Sequence, residues 1–297
     1  MSTSAERIDF KGLEAVKLSS IAKGVDSVAI VTLFGAHLVS WTVNGKEQIF
    51  LSSIAVFDKS KAIRGGCPIV FPQFGRPEGS EMPQHGFART SMWNYVENGE
   101  EGAFRLQSNE ETLKHWPHTF FLNVFIKPSG GRLEIALGVL NDGSEAFKFQ
   151  SLLHTYFRVP SVDTVKISGF EGHRYKDHLG DQGDRTTPAG EPLGISREVD
   201  REYINYPQEK EIVISTGDTK HFSITTKAEI DGEDHPTNYD VVLWNPWIEK
   251  AKATADLDDD AYMRYVCVEP GNISGGGSEL PAGSSFVIEQ TIEVLSP

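Results

Sequence analysis

The chain has 297 residues, enough for one large β domain or two ordinary ones, and a chain of that size buries roughly three quarters of its unfolded surface without staples. Acidic residues outnumber basic ones by 42 to 28, a formal net charge of −14, so the surface repels nucleic acid and anionic lipid and neither is an expected partner. The two cysteines, Cys67 and Cys267, stand far apart and supply neither a disulfide framework nor metal-ligand spacing.

The opening residues, Met1 to Arg7, hold no basic stretch followed by an apolar run. No segment approaches the roughly 20 apolar residues that span a bilayer, so a reduced, cytosolic location is expected. Short alternating segments then dominate. Val28–Phe34 and His37–Val43 read as strands, and Asn44-Gly45 follows as a hairpin-type turn. Asn109 is a candidate cap for a short helix over 109–115 that ends before Pro117. Phe104–Ser108, Phe120–Lys127, Leu133–Asn141 and Phe147–Val159 read as strands. So do Thr164–Ser168, Glu211–Ser215, His221–Thr226, Tyr239–Trp244, Tyr265–Glu269 and Phe286–Val294. Turn residues separate them at Ser129-Gly130-Gly131, Asn141 to Ser144 and Thr216-Gly217-Asp218. A further helical turn is expected over Ala251–Ala255. The long amphipathic segments of an α/β fold are missing, so the pattern predicts an all-β, antiparallel sandwich or barrel with few helices. No linker or repeat divides it, and residues 1–297 are expected to form a single domain. The stretch from Gly169 to Pro192, dense in Gly and Pro, reads as a long loop, either functional or a surface connection.

Four segments carry residues suited to chemistry. In Lys61-Ala62-Ile63-Arg64-Gly65-Gly66-Cys67-Pro68, an arginine beside two glycines can approach a ligand closely. Its forked donors suit phosphate or hydroxyls, unless it is only a surface arginine near a turn. Pro83-Gln84-His85-Gly86-Phe87-Ala88-Arg89 sets a histidine and a second arginine four residues apart, as a net-acidic protein would need to hold a dianion. His154 interrupts the apolar run Phe149–Val159, either as a satisfied core residue or as a functional group. Glu269 ends the apolar run Val266-Cys267-Val268 before Pro270-Gly271, where a turn is expected and a carboxylate could reach a cleft, unless it is an ordinary exposed glutamate. Cys67 has no evident partner base and is not expected to act as a nucleophile.

Taken in order, Arg-Gly-Gly-x-Pro, Pro-Gln-His-Gly-x-Ala-Arg, His-Thr-Tyr-Phe, Trp244-Asn245-Pro246-Trp247 and Val-Glu-Pro-Gly resemble the glucose-6-phosphate 1-epimerases. These are a branch of the aldose 1-epimerase (galactose mutarotase-like) superfamily, and the resemblance runs from about Val28 to Val294. It implies a two-sheet β-sandwich with a cleft across one sheet. His154 and Glu269 match the family's catalytic pair, Arg64 and Arg89 its anion-holding arginines, and His85 its sugar-contacting histidine. Asp200, in Ser196-Arg197-Glu198-Val199-Asp200, matches a hydroxyl-binding aspartate on the least sequence. The glycine-rich stretch after Gly271 departs from the family pattern. The implied reaction interconverts the anomers of a hexose 6-phosphate, needs no cofactor or metal, and is expected of a monomer. Alternatives are a mutarotase for neutral aldoses, a glycoside hydrolase built on Glu269 and Asp200, and a non-catalytic sugar-phosphate-binding protein.

Overall fold

The structure, a computed structural model, describes residues 2–98, 101–180, 183–234 and 239–295. Two large antiparallel sheets face each other. One runs Val165–Ser168, Ile212–Thr216, Thr219–Ile230, Ser285–Val294, Arg132–Asn141, Phe120–Ser129, Glu101–Gln107, Asn94–Asn98. The other runs Asp184–Thr186, Arg174–Asp177, Val199–Tyr206, Tyr239–Asn245, Tyr265–Asn272, Ser151–Leu153, Ile69–Val70, with Tyr156–Arg158 also paired to Tyr265–Asn272. Alternation decides what lies between them. Val241, Leu243, Val266, Val268 and Phe157 of the second sheet join Phe222, Ile224, Ile288, Ile292 and Ile135 of the first in one buried cluster. Phe157 meets Phe222 across the gap at 5.2 Å between ring centres. Each such side chain contributes about 1.5–3 kcal/mol by leaving water.

The intervening residues of the second sheet point the other way. Val242, Trp244, Cys267 and Glu269 belong to its outer face, where small clusters form around Tyr156, Tyr265 and Phe50 and around Leu152 and Val70. A period-2 strand buried on both faces therefore has a core side and a cleft side.

The first strands form a separate meander of five, Ser2–Phe10, Leu13–Ala22, Val25–Thr32, His37–Val43 and Lys46–Glu47. The first two of these strands were not anticipated. Their turns, Lys11-Gly12 and Lys23-Gly24, have positive φ at both residues, as does Asn44-Gly45, the geometry of two-residue hairpin turns. Among the described residues there are two α-helices. Asn109 caps Glu110–His115 by accepting from the Glu111 and Thr112 amides, while its own amide donates to Thr112 Oγ1. The second helix, Trp247–Ala253, begins earlier than its sequence suggests.

Three expectations need correction. The run 147–159 is three strands, Phe147–Phe149, Ser151–Leu153 and Tyr156–Arg158, broken at His154-Thr155. Pro270-Gly271 is not a turn: the strand Tyr265–Asn272 passes through it, so Glu269 lies within a strand and not at its end. Gly271 is needed there, because a Cβ would sit 2.6 Å from Ser151 O. The stretch 169–192 is not one loop. It contains Arg174–Asp177 and Asp184–Thr186, which pair with each other at the sheet edge, and residues 181–182 lie outside the described residues.

Candidate active site

The break in the strands around His154 creates the site. Leu152 sits opposite Gly271 and Tyr156 opposite Cys267, so the register is the same on both sides and His154 stands opposite Glu269. Cross-strand partners share a face of the sheet, and here it is the cleft face. His154 Nδ1 and Glu269 Oε1 approach to 3.2 Å, yet they lack hydrogen-bond alignment, and neither atom has another partner among the described residues. The imidazole is held by rings: Tyr156 stacks on it at 4.9 Å, and Trp244 and His85 meet it edge-on at 5.8 Å.

Both groups are almost sealed from water, His154 at 8% and Glu269 at 1% exposure. Burial pushes Glu269 well above the usual carboxylate range; Asp200 adds to the rise and Arg89 opposes it. Burial pushes His154 well below its usual value, helped by His85, Arg89 and Arg64. These shifts favour the uncharged forms of both, a carboxylic acid beside a neutral imidazole, which together hold one transferable proton.

A cleft of about 350 Å³ opens over the pair, walled by Arg64, His85, Arg89, His178, Asp200 and Lys250, with Phe74 and Trp244 among its apolar faces. All six residues singled out from sequence line it. Arg64 is delivered by Gly65-Gly66, both at positive φ and both pressed on backbone: a Cβ would meet Phe50 O at 2.5 Å and Leu38 O at 2.2 Å. His37 closes this clamp on Gly65 O at 2.7 Å. Arg64 Nε donates to Asp256 Oδ1 at 3.2 Å, and Lys61 also pairs with Asp256, at 3.1 Å. Arg89 donates to Gln84 O at 2.6 Å and pairs with no carboxylate among the described residues. Burial and Arg64 lower its guanidinium from 12.5 to about 10. Arg64 and Arg89, both half-buried, thus face the cleft with Lys61 behind them and one paired carboxylate, Asp256, which leaves this end of the cleft short of negative charge.

His85 sits at positive φ, before Gly86, whose Cβ would lie 2.1 Å from Phe71 O. Its Nδ1 accepts from the Gly75 amide at 3.1 Å, which leaves the proton on Nε2 of the neutral ring. Burial, with Arg89 and Arg64, lowers it to about 3, so His85 offers a hydrogen bond without a charge.

The opposite wall includes residues that the sequence did not reveal. His178 donates to Glu202 Oε2 at 2.9 Å, and Ser274 Oγ donates to Glu202 Oε1 at 2.9 Å. The glycine-rich stretch thus supports this wall: Gly277 packs on Phe149 O with no room for a Cβ, and the Ile273 and Ser274 amides donate to Asp240 Oδ2. Lys250, from the helix Trp247–Ala253, pairs with Glu198 at 2.9 Å and reaches Asp200 at 4.0 Å. Burial raises Asp200. His154, Cys267 and Glu269 bring ligand atoms within 4.8 Å of one another. A cation there would have to displace a thiol proton that burial and Glu269 hold well above the usual range.

A profile of the family described as aldose 1-epimerase matches residues 17–293. A protein of Cenchrus ciliaris, provisionally named glucose-6-phosphate 1-epimerase, is 36% identical over 274 residues, 87% of this chain and 78% of its own length. A protein of Salmonella typhimurium with the same provisional name is 36% identical over 247 residues, 81% of this chain and 78% of its own. A Salmonella typhimurium crystal structure described as a mutarotase, also provisionally, superposes with a TM-score of 0.78 at 29% identity, covering 98% of this chain and 94% of that one. A galactose mutarotase related enzyme from Lactobacillus acidophilus shares the fold, with a TM-score of 0.71 at 18% identity over 99% and 98% of the two chains.

Proposed function

The chain belongs to the aldose 1-epimerase family, and we propose that it interconverts the α and β anomers of a hexose 6-phosphate, D-glucose 6-phosphate first among them. One observation carries the substrate class: Arg64 and Arg89 line the cleft, Arg64 shares Asp256 with Lys61, and Arg89 has no carboxylate partner among the described residues, in a chain whose net charge is −14. A dianionic phosphate would supply the missing charge through short, charge-assisted hydrogen bonds. The provisional names of the relatives agree with that reading.

Mutarotation opens the pyranose ring and closes it on the other face of the carbonyl. Opening removes the proton of the anomeric hydroxyl and adds one to the ring oxygen. Those two oxygens share a carbon, so an acid and a base close together, as His154 and Glu269 are, can reach both. Glu269 accepts the hydroxyl proton and a protonated His154 supplies the ring oxygen; closure reverses both transfers. This needs the carboxylate–imidazolium form of the pair, which burial disfavours. A bound phosphate offsets both arginines: Arg89 bears on both members of the pair, whereas Arg64 bears on His154, so the balance moves the shared proton towards His154. His85 and Asp200 hold sugar hydroxyls, Trp244 and Phe74 give the ring an apolar surface, and the phosphate stays anchored while the C1–C2 bond turns. No residue in this scheme calls for a metal or organic cofactor. Two free, buried cysteines suit a reducing cytosol.

Magnetisation-transfer NMR of glucose 6-phosphate anomers tests the reading. Acceleration over spontaneous exchange that is lost in His154→Ala, and that exceeds the acceleration for glucose, supports it. Equal acceleration of both sugars makes the enzyme a mutarotase for neutral aldoses. Binding without acceleration makes it a sugar-phosphate-binding protein.

A further inference from the structure

One core position breaks the pattern of its strand. Along Ser285–Val294 the inward residues are Phe286, Ile288, Gln290 and Ile292, all at 0% exposure. Gln290 lies in the middle of the large sheet, opposite Ile135 on one neighbouring strand and Thr226 on the other. Burying a primary amide among isoleucines costs free energy unless its hydrogen bonds are made. They are made across the sandwich. Gln290 Oε1 accepts from Thr155 Oγ1 at 2.7 Å, and Gln290 Nε2 donates to Val268 O at 3.3 Å.

Thr155 follows His154 in the chain, and Val268 precedes Glu269. The amide therefore grips the neighbours of both members of the pair, on the core side of the sheet, at the point where the ladder between their strands is interrupted. The backbone there is short of cross-strand donors. Pro270 has no N–H, the Thr155 amide donates back to Leu153 O, and the His154 amide donates away to Pro68 O. The register holds on either side of the gap, but no ladder bond fixes the separation at His154 and Glu269.

We propose that Gln290 is a positioning residue: through Thr155 and Val268 it sets the approach of Glu269 to His154. It touches no substrate, lying behind the sheet that carries the cleft. The inference rests on the reading of His154 and Glu269 as acid and base. An apolar residue of similar length would fill the same space and spare the desolvation of the amide. Its presence here is accounted for by the gap that it bridges.

The test uses near-isosteric changes in the full chain, with anomer exchange of glucose 6-phosphate as the assay. Gln290→Met keeps length and volume and removes the amide. Thr155→Val removes one hydroxyl, and Thr155→Ser restores it. The expectation is that Gln290→Met and Thr155→Val each lower kcat by about 10-fold or more, since displacing reacting groups by about 1 Å costs up to about 100-fold. KM should stay within about twofold, Thr155→Ser should act like the parent protein, and the double variant should be no slower than the slower single one. Unchanged kcat in Gln290→Met, a rise in KM that accounts for the loss, a Thr155→Ser as slow as Thr155→Val, or losses that multiply in the double variant would each overturn the proposal. If Gln290→Met does not fold, the Thr155 pair decides. A parent protein that accelerates nothing overturns the catalytic reading as well. A parent lost to His154→Ala but indifferent to Gln290→Met and Thr155→Val overturns this inference alone.

Discussion

Replacing Arg89 by Met should make the empty protein more stable and the enzyme worse. Burial and the facing Arg64 hold the Arg89 guanidinium down at about 10, from 12.5, a penalty of about 3 kcal/mol in the folded state before any allowance for solvent. The sign is clear. At neutral pH the group is charged both folded and unfolded, so the penalty is in full force, and it relaxes only as pH rises through about 10. Met removes the charge and keeps most of the apolar stem. The lost hydrogen bond to Gln84 O takes back about 1–2 kcal/mol, and screening at a half-buried site trims the rest. That leaves a gain of about 1 kcal/mol, or about 2 °C in Tm for a chain of this size. Glucose 6-phosphate should reverse the order, because a ligand at about 100 times its Kd adds about 2.7 kcal/mol to the parent and little to the variant. The loss in kcat/KM for glucose 6-phosphate should be about 10- to 150-fold, one charge-assisted hydrogen bond, with glucose nearly unaffected. Melting with and without the sugar phosphate, and anomer exchange with both sugars, measure all of this. An empty variant that melts lower than the parent, or equal losses on both sugars, would refute the reasoning.

Glu269→Gln and His154→Gln should each lower kcat by about 10²–10⁴-fold, and full activity in Glu269→Gln would remove that residue from the base role. His178 is raised by its bond to Glu202, so its contribution to stability is complete below its unfolded value of about 6.5 and lost as pH rises through the higher folded value. His178→Gln should therefore cost more stability at pH 5 than at pH 9 in denaturant titrations, and an equal cost at both would contradict the assignment. Cys67, buried and pushed up to about 12, should resist alkylation at pH 8 until the chain is unfolded, which mass spectrometry reads directly. Inorganic phosphate should speed the mutarotation of glucose, since it fills the arginine site that the neutral sugar leaves empty; simple inhibition would break the proposed link between phosphate and the acid–base pair.

Much of this site was legible in the sequence because its residues sit in tight, glycine-dependent backbone. Gly65-Gly66 and Gly86 have no room for a Cβ, so Arg64 and His85 stand beside turn signals that a reader notices. His154 was visible as one polar residue in an apolar run. Less legible was whatever depends on partners far away in sequence. His178 and Lys250 look like surface residues, and only pairing with Glu202, Glu198 and Asp200 brings them to the cleft. The first two strands of the N-terminal meander escaped because Lys11-Gly12 and Lys23-Gly24 turn as tightly as Asn44-Gly45 without the asparagine that advertises such a turn. Pro270-Gly271 misled in the opposite direction. It reads as a turn, whereas the proline removes a ladder donor in mid-strand and the glycine admits the neighbouring strand.

That misreading bears on function. A strand ending at Glu269 would leave the carboxylate at a rim, solvated and ionised, able to act as a base with or without substrate. Carried on through Pro270 to Asn272, the strand seals Glu269 at 1% exposure beside His154, and burial then favours neutrality in both. On the proposed reading the pair develops opposite charges when something offsets the cations next to His154, and a phosphate between Arg64 and Arg89 would do so from the far end of the sugar. Substrate selection and activation of the acid–base pair would then follow from one electrostatic arrangement. On that reading a neutral hexose could occupy the same cleft and meet the same two residues, but without the charge that moves their proton to His154.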